Sequence, residues 1–240
     1  MATKKQILLV SEMFYSIQGE GQTMGVPAVF LRLGGCNLLC ETKNWVCDTI
    51  EVWRKSKATK FEDVLPEWML EKLFDRSAHL VITGGEPLMH QEAVSEYLKY
   101  LTERNEGREI ICEVETNGTI KPNEFLLSYV SYWNVSPKLP SAVIPSMMNI
   151  TKNEVALQTF SMCGPATIFK FVVSNEQDLK DIEDMFLPLI NKRQLILMPA
   201  GSSQEELNKT RLMVAEMCVK LDCRYSDRLH IVIWNQKTGV

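Results

Sequence analysis

Ala28-Val29-Phe30-Leu31-Arg32-Leu33-Gly34-Gly35-Cys36-Asn37-Leu38-Leu39-Cys40 runs from an apolar, β-rich stretch into a glycine pair and then two cysteines. The apolar part reads as a strand and the glycines as its end. The same passage from apolar run to turn recurs at His79–Ile82, Glu109–Val114, Tyr132–Val135, Ile168–Val173, Leu195–Leu197 and Leu229–Ile233. Helical stripes lie between several of these. Val94, Tyr97, Leu98 and Leu101 share one helix face, as do Leu207, Val214, Met217, Cys218 and Leu221. Leu179, Ile182, Met185 and Phe186 make a third stripe, with Ser174 and Asn175 at its N-cap and Gln177 as capping partner. Strand and helix in alternation give a mostly parallel sheet with crossover helices. The units are too few for a closed eight-stranded barrel, so the expected fold is an α/β partial, incomplete TIM-like barrel, one domain over residues 1–240. Ligands of such sheets gather at the carboxyl ends of the strands.

Composition removes several classes of function. The 240 residues are 45% hydrophobic and 23% charged, a globular mixture rather than a disordered one. A net charge of -4 gives no support to nucleic-acid binding, which expects a basic excess. Apolar runs reach about five residues, against roughly 20 for a membrane span, so no membrane partner is expected. Met1–Val10 holds too few apolar residues for a signal-peptide core, which points to the cytoplasm. In that reducing compartment seven cysteines are not a disulfide framework.

Their spacing explains three of them. The opening stretch continues Glu41-Thr42-Lys43-Asn44-Trp45-Val46-Cys47-Asp48-Thr49, so Cys36, Cys40 and Cys47 fall within twelve residues. Thiolates select zinc or iron–sulfur clusters. Structural zinc wants four closed ligands, yet no histidine precedes His79 and the next cysteine, Cys112, lies on an expected strand. Three thiols without a fourth suit a four-iron cluster with one iron open to a ligand. Buried structural cysteines are the alternative, and a glycine-flanked polar loop at the ligand end of a sheet argues against it. Cys112, Cys163, Cys218 and Cys223 are scattered over strands and helices and read as core or incidental. After the next strand, Thr83-Gly84-Gly85-Glu86-Pro87 lets backbone approach a ligand closely.

These two loops resemble the radical S-adenosylmethionine enzymes, in which three cysteines hold a [4Fe-4S] cluster and a GGEP-type motif meets the methionine part of the cofactor. The usual spacing is C-x3-C-x2-C; here the second interval is six residues, an insertion of four. Phe14 to Gly21, Gly25 to Arg32, Gly35 to Leu38, Cys47-Asp48-Thr49, Glu115-Thr116-Asn117-Gly118, Ser136-Pro137-Lys138 and Asp227-Arg228-Leu229-His230 are similar, in order, to the 7-carboxy-7-deazaguanine synthase family. The resemblance implies a lyase that contracts the ring of 6-carboxy-5,6,7,8-tetrahydropterin to 7-carboxy-7-deazaguanine with loss of ammonia, on a queuosine-type deazapurine pathway. It implies that the reduced cluster passes an electron to S-adenosylmethionine, giving the radical that takes a substrate hydrogen. The cofactor is turned over rather than consumed.

Residue roles follow from that resemblance. Ile17, Gln18, Gly19 and Glu20 offer mixed donors and acceptors to the guanidine-like edge of a pterin substrate. Arg32 suits its carboxylate through two parallel hydrogen bonds, the alternative being a surface ion pair. Thr83 and His230 match substrate positions, although a histidine in an apolar run is more commonly a satisfied core residue. Gly85, Glu86, Ser136, Pro137 and Lys138 match S-adenosylmethionine positions. Cys36, Cys40 and Cys47 match the cluster ligands, and Thr49 the Mg2+ ligand, with Asp48 adding charge beside it. A homodimer, with the Met-rich insert 144–163 and the C-terminal strand at its interface, and an electron donor such as flavodoxin or ferredoxin complete the expectation. Two other classes remain: an activase acting on a partner protein, and a zinc-binding interaction module.

Overall fold

The computed structural model describes residues 6–42, 45–47, 49–237 and 239. Strand β1 (Ile7–Ile17) opens the chain and pairs antiparallel with β2 (Pro27–Leu33). The small strands β3 (Glu41–Thr42) and β4 (Trp45–Val46) follow, then α1 (Ile50–Trp53), β5 (Lys57–Lys60) and α2 (Glu67–Phe74). Strands then alternate with helices: β6 (His79–Gly84), α3 (Gln91–Arg104), β7 (Cys112–Thr116), α4 (Glu124–Tyr129) and β8 (Tyr132–Val135). Next come α5 (Met148–Thr151), α6 (Glu154–Met162), β9 (Thr167–Val173), α7 (Glu176–Asp181), β10 (Leu195–Pro199), α8 (Gln204–Leu221), β11 (Arg224–Tyr225) and α9 (Leu229–Trp234).

One nine-stranded sheet has the order β11-β10-β9-β8-β7-β6-β2-β1-β5. From β2 to β11 every neighbouring pair is parallel, and only the β1 pairings with β2 and β5 are antiparallel. β5 and β11 are the outer strands and do not pair with each other, so the sheet is a partial barrel.

Registers place alternate residues on opposite faces. Val29, Leu31, Leu80, Ile82, Val114, Trp133, Val135, Phe169, Phe171 and Leu197 belong to the large buried core shared with the helices. Trp133 meets Phe160 of α6 at 5.1 Å, and Phe171 meets Phe186 at 5.0 Å. The expected helical stripes supply the other side of this core, with Val94, Tyr97, Leu98, Leu101, Leu207, Val214, Met217 and Leu221 all buried. The opposite, concave face carries Arg32, Thr83, Glu113, Glu115, Asn134 and Lys170.

Three expectations are corrected. Leu229–Ile233 is helical within α9, because a short apolar run has no period that separates strand from helix. The β7 strand runs Cys112–Thr116 rather than from Glu109. The cap of α7 is Asn175, whose Oδ1 accepts from the Gln177 and Asp178 amides. The carboxylate of Asp178, three residues after the cap, accepts from the Ser174 amide; the Gln177 side chain donates instead to Asp181.

Candidate active site

Within the interval between Cys40 and Cys47, β3 pairs antiparallel with β4 in the register Glu41↔Val46 and Thr42↔Trp45. The Cys47 amide donates to the Cys40 carbonyl at 2.9 Å, so the insertion brings the two cysteines together at the base of this strand pair. Cys36, Cys40 and Cys47 meet one small apolar cluster of Leu38, Val143, Met147 and Met148. The Leu39 amide donates to the Met147 thioether at 3.3 Å. Met147 and Met148 of the Met-rich insert therefore cover the cysteine loop. Burial pushes the Cys36 thiol up to about 11, with Glu86, Cys40 and Cys47 nearby adding to the rise.

The second loop grips the first. A side chain at Gly85 would meet the Gly35 carbonyl oxygen at 1.8 Å, and one at Gly84 the Leu33 oxygen at 2.2 Å, so only glycine fits either place. The Glu86 amide donates to the Gly35 carbonyl at 2.8 Å. The buried Glu86 carboxylate accepts from the Thr116 hydroxyl (2.7 Å), the Leu88 amide (3.0 Å) and the Asn117 amide (2.7 Å). Burial raises its pKa, and these donors work against that rise. Asn117 in turn donates to the Asn37 side chain at 2.9 Å, closing a ring of three loops.

A cavity of about 640 Å³ opens on the concave face beneath these loops. Every candidate site residue from the sequence lines it except Glu86 and Pro137. Glu86 braces the loops from behind, and Pro137 borders a neighbouring depression. Asp48 lies outside the described residues. Thr49 Oγ1 stands 3.4 Å from the Cys47 sulfur. Lys138 donates to Ser136 at 3.2 Å. Arg32 pairs through Nε with Glu12 at 3.2 Å while lining the cavity, so the ion pair and the cavity position coexist. His230 packs against Gly19, where a Cβ would fall 2.3 Å from its Nδ1, and the Leu229 amide bonds the Gly19 carbonyl at 2.8 Å.

Glu20 is the electrostatic centre. Lys170 donates to its Oε2, and Arg228 Nε lies 2.9 Å from its Oε1. Burial alone would raise the Glu20 carboxyl, but Lys170, Arg228 and His230 outweigh it and hold the group well below its ordinary 4.5. Gln18, 2% exposed, donates to Glu115 at 3.2 Å, and Glu115 also accepts from Thr83 at 2.8 Å. Asn134 and Lys170 line the cavity without having been singled out in the sequence, as do Glu115 and Arg228, which stood in similar motifs but carried no role. Their signal was there. Central parallel strands are apolar on both faces, so charged or amide residues at alternate positions, as in Cys112-Glu113-Val114-Glu115, mark a face that does not meet helices.

Among the described residues no three His, Cys, Asp or Glu side chains converge on one metal ion. A four-iron cluster takes each thiolate on a separate iron, and three thiols that line one cavity fit that group.

Comparison with known proteins agrees with this geometry. Residues 17–133 match the family model described as a 4Fe-4S single cluster domain. The chain is 33% identical to the 7-carboxy-7-deazaguanine synthase of Halobacterium salinarum, over 95% of this chain and 91% of that one. It is also 33% identical to the synthase of that name from Pyrobaculum aerophilum, over 96% of each. The crystal structure of QueE from Escherichia coli superposes with a TM-score of 0.64 at 24% identity, covering 93% of this chain and 95% of that one.

Proposed function

The chain belongs to the 7-carboxy-7-deazaguanine synthase family, and on that premise we propose how its cavity carries out the reaction. It is a radical S-adenosylmethionine lyase that converts 6-carboxy-5,6,7,8-tetrahydropterin to 7-carboxy-7-deazaguanine with loss of ammonia. The observation that carries this reading is one cavity lined both by three thiols and by the charged, hydrogen-bonding residues of the sheet. Cys36, Cys40 and Cys47 hold the cluster. When bound, the cluster and S-adenosylmethionine supply hydrogen-abstracting radical chemistry, and the protein supplies orientation.

Glu20, kept ionised by Lys170 and Arg228, accepts N–H groups of the guanidine-like pterin edge. Gln18 and the Ile17–Gly19 backbone extend that edge recognition, with Thr83 and His230 bounding the ring. Arg32 takes the substrate carboxylate; its guanidinium has five donors, and the Glu12 pair uses one. Gly85, Ser136 and Lys138 meet S-adenosylmethionine, and Thr49 contributes a hydroxyl to Mg2+ beside the substrate. A reducing cytoplasm, a flavodoxin- or ferredoxin-like electron donor and a homodimer complete the proposal. Met147 and Met148, within the insert expected at the dimer interface, pack against the cysteines.

The activase reading is not favoured, since it needs an outward docking face while the charged groups gather inside the cavity. Anaerobic reconstitution with iron and sulfide, then mass analysis after incubation with the pterin, S-adenosylmethionine and a reductant, tests the proposal. The expected product is 7-carboxy-7-deazaguanine with many turnovers per S-adenosylmethionine. Cofactor cleavage without conversion of the pterin would refute it.

A further inference from the structure

Beneath the cavity floor lies a second carboxylate that the reaction as described does not use. Glu113 is fully buried on β7 and collects side chains from four other segments. His79 Nδ1 meets its Oε1 at 2.5 Å. Its Oε2 accepts from Thr23 at 2.7 Å, from Asn134 at 3.2 Å and from the Gln18 amide nitrogen at 3.5 Å. That same Gln18 nitrogen also donates to Glu115 at 3.2 Å. Two carboxylates flank one amide, and a carboxylate accepts only. The amide orientation is thus fixed by chemistry: NH2 toward the two glutamates, and Oε1 with only a long 3.4 Å approach from the Glu20 amide.

We infer that Glu113 is a positioning residue for substrate selection: with Glu115 it locks the Gln18 amide so that the cavity receives a carbonyl acceptor, selecting a ligand edge that presents an N–H. This rests on the pterin reading above and gives Gln18 a definite sense within it. His79 makes Glu113 more than a packing group. Because a carboxylate only accepts, Nδ1 carries the proton here, and in that tautomer a glutamine at 113 keeps its oxygen toward His79. The new NH2 would then face Gln18, donor against donor. Gln18 would be caught between that donor and the Glu115 acceptor, and its fixed orientation would be lost.

The test is steady-state kinetics on the reconstituted holoenzyme and its Glu113→Gln, Gln18→Leu and doubly substituted forms, with iron content and visible spectrum measured on each. Losing one oriented hydrogen bond raises the KM for the pterin by about tenfold. The KM for S-adenosylmethionine and the iron content stay at wild-type values. Because both residues act through one amide, the double variant is no worse than Gln18→Leu alone. An unchanged pterin KM in Glu113→Gln overturns the assignment, as does an equal rise in both KM values, which marks a general loosening. Gln18→Leu with wild-type KM overturns it even where Glu113→Gln does not fold. A wild type that makes no deazaguanine from the pterin refutes the substrate together with the assignment.

Discussion

On β7, Cys112 and Val114 face the helices while Glu113 and Glu115 lie on the concave side, Glu115 lining the cavity, and the same division runs along the neighbouring strands. The helix side is a continuous apolar core in which Trp133, Phe160, Phe169, Phe171 and Phe186 are buried against one another. The concave side has a small apolar cluster of Ala28, Phe30 and Val81, with Phe14 stacked on Phe30 at 4.7 Å, and Val172 and Met198 add apolar lining to the cavity. Between them stand Gln18, Thr23, Thr83, Glu113, Glu115 and Asn134, hydrogen-bonded to one another. The helix side works by volume and tolerates exchange of similar shapes. The cavity side works by donor and acceptor identity, so isosteric changes there alter function.

Substitutions that separate stability from chemistry can break that contrast. The largest effect falls at the cysteine loop: Cys36→Ala, Cys40→Ala or Cys47→Ala each removes the visible iron absorbance and all turnover. A Cys47→Ala protein with full cluster and activity would remove Cys47 from the ligand set. On the helix side, Phe171→Ala costs about 3–5 kcal/mol, roughly 10 °C in melting temperature, with kcat per folded molecule unchanged. A changed kcat at restored folding would show that the two faces are not independent.

Glu20→Gln tests whether the cavity charges also stabilise the fold. Removing one partner strands the buried Lys170 and costs about 3 kcal/mol at neutral pH. The sign follows from a carboxyl held below its ordinary value: its contribution is present above pH 4.5 and is lost as pH falls through the lowered value. The gap between wild type and Glu20→Gln in denaturant titrations should therefore narrow on acidification below pH 4.5. A gap independent of pH would contradict this. Arg32→Lys keeps the charge and loses the fork, raising the pterin KM about tenfold while S-adenosylmethionine cleavage survives. An unchanged KM would remove Arg32 from carboxylate recognition. The smallest effect is at Met147→Leu. It keeps the volume, costs under about 1.5 kcal/mol and releases the Leu39 amide, so air bleaches the cluster modestly faster. Bleaching at the wild-type rate would show that the thioether cover is incidental.

Much of this was legible in the sequence, for reasons that differ between the faces. Apolar runs located β2, β6, β8, β9 and β10, and the helix stripes located the core, because both depend on period alone. β1 escaped. Its Ile7–Ile17 segment buries only Leu8 fully, so neither face reads as a clean alternation. α9 was misread as a strand because Leu229–Trp234 buries only Ile231 and has too few residues to show a 3.6 period. The cysteine, glycine and Gln18–Glu20 loops stood out as motifs. Glu115 stood in the Glu115–Gly118 motif with no role attached to it. Glu113, Asn134 and Lys170 stood in none: their alternation with apolar neighbours marks a polar face, and only the registers bring them onto one wall.

The most direct test of that shared wall is an anaerobic crystal structure of the reconstituted protein with S-adenosylmethionine and 6-carboxy-5,6,7,8-tetrahydropterin. The account predicts a four-iron cluster on Cys36, Cys40 and Cys47. It predicts the pterin N–H edge on Gln18 Oε1 and Glu20, and the pterin carboxylate on Arg32. A pterin bound away from the concave face, or turned so that its carboxylate meets Glu20 and Lys170, would contradict it.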